Sequence, residues 1–207
     1  MCSSDLQGLD ERATRERYAA VFEPHFRDCD SPPAGEGRAS LAFLVTEGHE
    51  GVFLRSFAGA LEHFRGDELE VVILCSSAGA RRLRQGMSRF RGRIAPLPAT
   101  AAEAAEAIRG ERFDLLCFWE IGTDAWNYFL PFRRLAAAQC TSFGIQTTSG
   151  IPAVDFYLSS RLLEPPGADS QYSERLVLLD DLPAYVRRQP APATSSRGAP
   201  GFDDSSQ

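Results

Sequence analysis

Residues 41–75 read LAFLVTEGHEGVFLRSFAGALEHFRGDELEVVILC. The stretch opens on one apolar run, 41–45, and closes on another, 69–75. Between them Phe53, Phe57, Ala60, Leu61 and Phe64 recur at helical spacing, while Arg55 and Glu62 fall on the opposite side. Strand, amphipathic helix and strand in this order predict a right-handed βαβ unit. The two runs are apolar nearly throughout, as strands covered on both faces should be.

The alternation continues outward. Strand-like runs occupy 93–97, 114–118 and 139–144, and two more lie at 154–159 and 175–179. Helical patterns fill 78–89, 101–109 and 124–136. The expected fold is α/β, a Rossmann-like three-layer domain with a mainly parallel sheet over 39–186. Residues 1–38 read as an N-terminal helix, patterned over 9–28, followed by a Pro/Gly-rich linker. Met1–Leu6 (MCSSDL) reads as adapter-derived translation and is not expected to belong to the fold. The stretch 187–207 is rich in Pro, Ser and Gly and is expected to be a linker or disordered tail.

Composition narrows the function. The 207 residues are 43% hydrophobic, enough for one sizeable core. The net charge of -6 argues against nucleic acid or an anionic membrane as partner. No apolar run reaches the roughly 20 residues of a membrane span, and no signal peptide is visible at the start. All 22 basic residues are Arg, so neither Schiff-base chemistry nor a Walker-type lysine is available. The five cysteines form no CxxC pair, and they read as reduced thiols of a cytoplasmic protein.

An open parallel sheet binds ligands beyond the carboxyl ends of its strands. The loops there are 46–51, 76–79, 98–100, 119–124 and 144–151. In the first, TEGHEG, His49 lies between Gly48 and Gly51 and could accept a proton from a hydroxyl, or simply meet solvent. The loop WEIGTD offers Glu120 and Asp124 as acceptors for sugar hydroxyls, although a helix N-cap is the more natural role for Asp124. The loop GIQTTSG offers the amide of Gln146, the hydroxyls of Thr147, Thr148 and Ser149, and the backbone of Gly144 and Gly150. That set suits a sugar or phosphate, and an ordinary turn would use the same residues. His25 and His63 read as surface residues, and the arginines of 81–93 as a solvated helix face. No GxGxxG, GxxxxGK[ST], GxSxG or zinc-spaced cluster is present.

Taken together, FGIQTTSGIPAVDFYLS at 143–159, EPPGA at 164–168 and QYSERL at 171–176 resemble the O-GlcNAc transferase/SPINDLY-like glycosyltransferases. GHEG at 48–51 falls where that family carries its catalytic-site histidine, and EIGTD at 120–124 resembles its loop after the fourth strand. The resemblance runs from Leu41 to about Tyr185 and is to the first of two Rossmann-like lobes in a GT-B enzyme. It implies inverting transfer of N-acetylglucosamine from a UDP-sugar substrate to protein Ser/Thr, with no metal and no cofactor. It further implies His49 as catalytic residue, with Gly48, Glu120, Asp124 and residues 144 and 146–150 toward the substrate. A second, nucleotide-binding lobe is then a required partner, and the chain by itself is expected to be an inactive fragment. Gly144-Ile145-Gln146 stands where many bacterial relatives have Gly-His-Pro, and Glu120 where Asp is common. These departures bear on sugar identity. The rival readings are a non-catalytic docking module and the lobe of a GT-B enzyme with a different acceptor.

Overall fold

The computed structural model describes residues 10–26, 32, 34–35, 37–64 and 69–186. Cys2, Cys29, the adapter-like hexapeptide and the tail 187–207 lie outside the described residues.

Among the described residues seven strands form one sheet: β1 (Ala39–Val45), β2 (Leu69–Cys75), β3 (Arg93–Pro96), β4 (Leu115–Phe118), β5 (Ala138–Ser142), β6 (Phe156–Ser160) and β7 (Arg175–Leu179). Every pairing is parallel, in the order β3-β2-β1-β4-β5-β6-β7. All seven strand-like runs of the sequence are therefore strands, and the parallel α/β expectation holds. The chain winds outward from β1 to β3, then crosses back to β4, so the topological switch point lies between β1 and β4.

Among the described residues six α-helices accompany the sheet: α1 (Arg12–Phe22), α2 (Glu50–Ser56), α3 (Ala58–His63), α4 (Ser77–Gly86), α5 (Ala101–Glu111) and α6 (Ala125–Phe129). Period-two alternation along the strands sends side chains to two separate cores. Ala42, Leu44, Val72, Leu74, Leu116 and Phe118 meet α1, α5 and the segment following β4. Phe43, Val45, Val71, Ile73, Cys117 and Trp119 meet α2, α3 and α4. Cys75, Cys117 and Cys140 are buried free thiols in the second core.

Two helices differ from the sequence pattern for identifiable reasons. The single helix read over 52–64 is broken at Phe57 (φ -130°, ψ -35°). The Ser56 carbonyl, which a continuous helix would give to Ala60, accepts instead from the backbone N–H of Tyr185 at 2.8 Å. Ala60 donates to Phe57. The helix read over 124–136 stops after Phe129 and gives way to a 3-10 turn at Leu130–Phe132. Pro131 lacks an N–H and its ring crowds the preceding turn, so an α-helix does not continue through it.

The N-terminal helix is docked on the domain. Phe22 packs edge-on against Phe129 at 5.2 Å, and Phe26 stacks on Phe132 at 5.2 Å. Ala19 is buried in the first core.

Candidate functional site

The site is built where β1 and β4 end. After β1 the chain turns sharply: the His49 N–H donates to the Thr46 carbonyl at 3.1 Å, and Gly48 sits in the left-handed region at φ +90°. That is the conformation the third position of a type II turn demands, and glycine adopts it without strain. Gly48 thus aims its neighbour, His49, back over the sheet edge. The Gly48 N–H also donates to Glu50, whose carboxylate is buried and pairs with Arg82 at 3.3 Å.

His49 Nδ1 lies 2.6 Å from Glu120 Oε2. The carboxylate accepts, so this bond places the ring proton on Nδ1 and leaves the Nε2 lone pair available. Nε2 faces Asp124 Oδ2 across 3.7 Å, which is too long for a hydrogen bond. Glu120 is 5% exposed, and burial pushes its carboxyl above the usual range, with His49 offsetting part of the effect. The imidazole itself keeps about a quarter of its surface open (26%), so a ligand can reach it.

Asp124 does two jobs. Its Oδ1 caps α6, accepting from the N–H groups of Trp126 (2.7 Å) and Asn127 (3.0 Å). Its Oδ2 accepts from the Thr46 hydroxyl (2.6 Å) and the Asn127 amide (2.7 Å). Burial is the largest single influence on this carboxyl and pushes it up. The hydrogen bonds from Thr46, Asn127 and Trp126 together outweigh it and hold Asp124 below the ordinary range. Thr46 and Asn127 escape a motif-based reading. Their signal is positional: the first residue past β1, and the residue three beyond an N-cap.

The loop after β5 joins the same rim. A methyl group on Gly144 would meet the Trp119 carbonyl at 2.3 Å and Glu120 Cγ at 2.8 Å. Gly144 is thus required by close approach, and it lies directly against the residue that holds His49. The two segments on which the sequence reading depends therefore share one end of the sheet.

The rest of the loop divides. Gln146 is exposed and Thr147 is half-buried on the accessible side. Thr148 and Ser149 are buried, and both hydroxyls donate to the buried carboxylate of Glu174. The Ser149 N–H joins them at 2.8 Å, and Ser173 Oγ lies 2.7 Å from the Thr148 hydroxyl. Gly150, at φ +71°, lies against the backbone of Arg15 in α1, where a methyl group would come within 2.4 Å. Thr148, Ser149 and Gly150 therefore brace the loop against the segment leading into β7 and against α1; the sequence pattern offers them to a substrate, and here both hydroxyls are engaged within the protein. Glu174, which organises them, lies in the QYSERL stretch, where the sequence gives it no role in the site.

Among the described residues no three of His, Cys, Asp and Glu gather as metal ligands. None of the described helices is long and apolar enough to cross a membrane. A hollow of about 750 Å³ opens beside the rim, bounded by the ends of β1 and β2, the start of α4 and the Asp124 turn. A larger one, about 1180 Å³, lies at the amino ends of β2 and β3, away from His49.

Among known proteins, no family model and no curated sequence matches the chain. Solved structures do. A lysine-to-methionine mutant of O-GlcNAc transferase from Thermobaculum terrenum aligns over 84% of this chain at 26% identity, with a TM-score of 0.65. The chain spans about a third (34%) of that protein's length. The fold is accordingly that of an O-GlcNAc transferase-like lobe of GT-B type.

Proposed function

We propose that this chain forms the acceptor-side wall of an inverting glycosyltransferase that transfers N-acetylglucosamine from UDP-GlcNAc to a protein Ser/Thr hydroxyl. The observation that carries the reading is the His49–Glu120 pair, 2.6 Å apart at the switch point of the sheet, with about a quarter of the imidazole exposed and Nε2 not hydrogen-bonded to Asp124.

The chemistry follows from that geometry. The acceptor oxygen attacks the anomeric carbon, and a new C–O bond forms as the bond to the diphosphate breaks. The diphosphate leaves with the electron pair, and the hydroxyl proton passes to His49 Nε2. Glu120 holds the imidazole by Nδ1 and stabilises the positive charge it gains, as the buried carboxylate does in a hydrolase triad. Thr46, Asn127 and Asp124 fix the opposite side of the pocket. Gly144, Gln146 and Thr147 border the space left for the sugar. Charge building on the leaving diphosphate needs cationic or N–H donors, and we assign these to a nucleotide-binding lobe across the cleft.

The test is transfer from UDP-GlcNAc to Ser/Thr peptides, by this chain alone and by the chain joined to a nucleotide-binding lobe. The joined enzyme should turn over and the lone chain should not. His49→Ala should lower kcat by about a hundredfold or more, the usual range for a lost general base. Undiminished transfer by that variant would remove His49 from the reaction.

A further inference from the structure

The hollow beside the rim shares Thr46 and Asp124 with the candidate site, so whatever fills it continues directly from the atoms facing His49 Nε2. Its walls are Leu44, Leu97, Pro98 and Trp126. The titratable groups lining it are the carboxylates of Glu47 and Asp124 and the thiol of Cys75; no Arg or His lines it. At about 750 Å³ it lies in the upper part of the range for ligand sites, about 300–1,000 Å³.

These features select among the possible occupants. A diphosphate would sit against two carboxylates with no cation to meet it, which is unfavourable. A sugar ring needs many polar partners, and most of this wall is apolar. An extended peptide fits better. A bulky apolar side chain meets Leu97 and Trp126, and its backbone carbonyls meet donors at the start of α4. There Ser77 and Ala78 lie on the lining, and the first N–H of the helix to find a partner within it is that of Ala80.

We infer that this hollow binds the acceptor peptide next to its reactive hydroxyl, taking a large apolar side chain such as leucine or phenylalanine and rejecting an acidic one. The inference rests on the proposed role of His49 and names the substrate feature that the same site reads.

The experiment is an NMR titration of the 207-residue chain with three probes. Two are short serine peptides, one with leucine and one with aspartate beside the serine; the third is UDP. The leucine peptide should shift the resonances of Leu97, Ala99 and Trp126. The aspartate peptide should bind about tenfold more weakly, the effect expected of a like-charge contact beside Asp124 and Glu47. UDP should leave these resonances unmoved. Ala99→Arg, at an exposed position on the lining, should narrow or reverse the difference between the two peptides without disturbing the fold. UDP shifting the same resonances, or peptides shifting none of them, would overturn the inference. The titration needs no turnover, so its outcome separates from that of the transfer reading. Peptide binding here without transfer by the joined enzyme sinks the reading and keeps the site. Transfer with no flank preference sinks the site and keeps the reading.

Discussion

His49 has two nitrogens and two unlike neighbours. Glu120 binds Nδ1 at 2.6 Å, whereas Asp124 stands off from Nε2 at 3.7 Å with its oxygens already engaged by Thr46, Asn127 and Trp126. At alkaline pH, where imidazoles are neutral, nitrogen NMR should find the His49 proton on Nδ1. A proton on Nε2 would mean that Glu120 does not orient the ring. Asp124 yields a second prediction. Its folded carboxyl titrates below the ordinary range, so the stability it contributes is complete above that range and is lost as pH falls through the lowered value. Asp124→Asn should therefore cost about 1–2 kcal/mol in denaturant unfolding at pH 7. The gap from wild type should close as pH falls through that lowered value. A gap independent of pH would assign the loss to packing. At this scale the sequence was partly legible. GHEG and WEIGTD expose their chemistry because turns after strands must present polar groups. The bracing role of Glu174, though the residue lies in QYSERL, was illegible because a buried carboxylate is recognised by the hydroxyls folded onto it, and these come from 25 or so residues away.

At the scale of elements, the loop after β5 is held from two directions. Glu174 gathers Thr148 and Ser149, and Gly144 rests on the Trp119 carbonyl. Glu174→Ala would leave two buried hydroxyls and an N–H without their acceptor, and should cost about 3 kcal/mol by chemical denaturation. A loss under about 0.5 kcal/mol would show that the loop does not depend on it. Gly144→Ala should cost about 1–3 kcal/mol through overpacking and should also displace Glu120, so its effect on transfer should exceed its effect on stability. The strands were the most legible elements, because most are apolar through the middle and end at a polar turn; β5, with Gln139 and Thr141, is the exception. The helix breaks were not. Phe57 interrupts its helix because Tyr185, more than a hundred residues later, claims the Ser56 carbonyl. Pro131 is visible in the sequence, but the apolar pattern continues beyond it through Phe132, Leu135 and Ala136.

For the molecule as a whole, strand order decides where function can lie. Winding outward to β3 and back to β4 opens the sheet edge between β1 and β4, and the loops bearing His49 and Glu120 flank that gap. The flanking hollow and the loop after β5 extend the same face into a wall that a second lobe can oppose. Docking of α1 onto Gly150 and the aromatic residues after β4 connects whatever happens at the N-terminal helix to the back of this wall. The central claim is that Glu120 works through His49. The measurement closest to it is a double-mutant cycle in the joined enzyme, comparing kcat/KM for His49→Ala, Glu120→Gln and the double variant. Residues that act as a unit are strongly non-additive. The double variant should be no slower than His49→Ala alone. Losses that multiply would contradict the account and give Glu120 a task independent of the histidine.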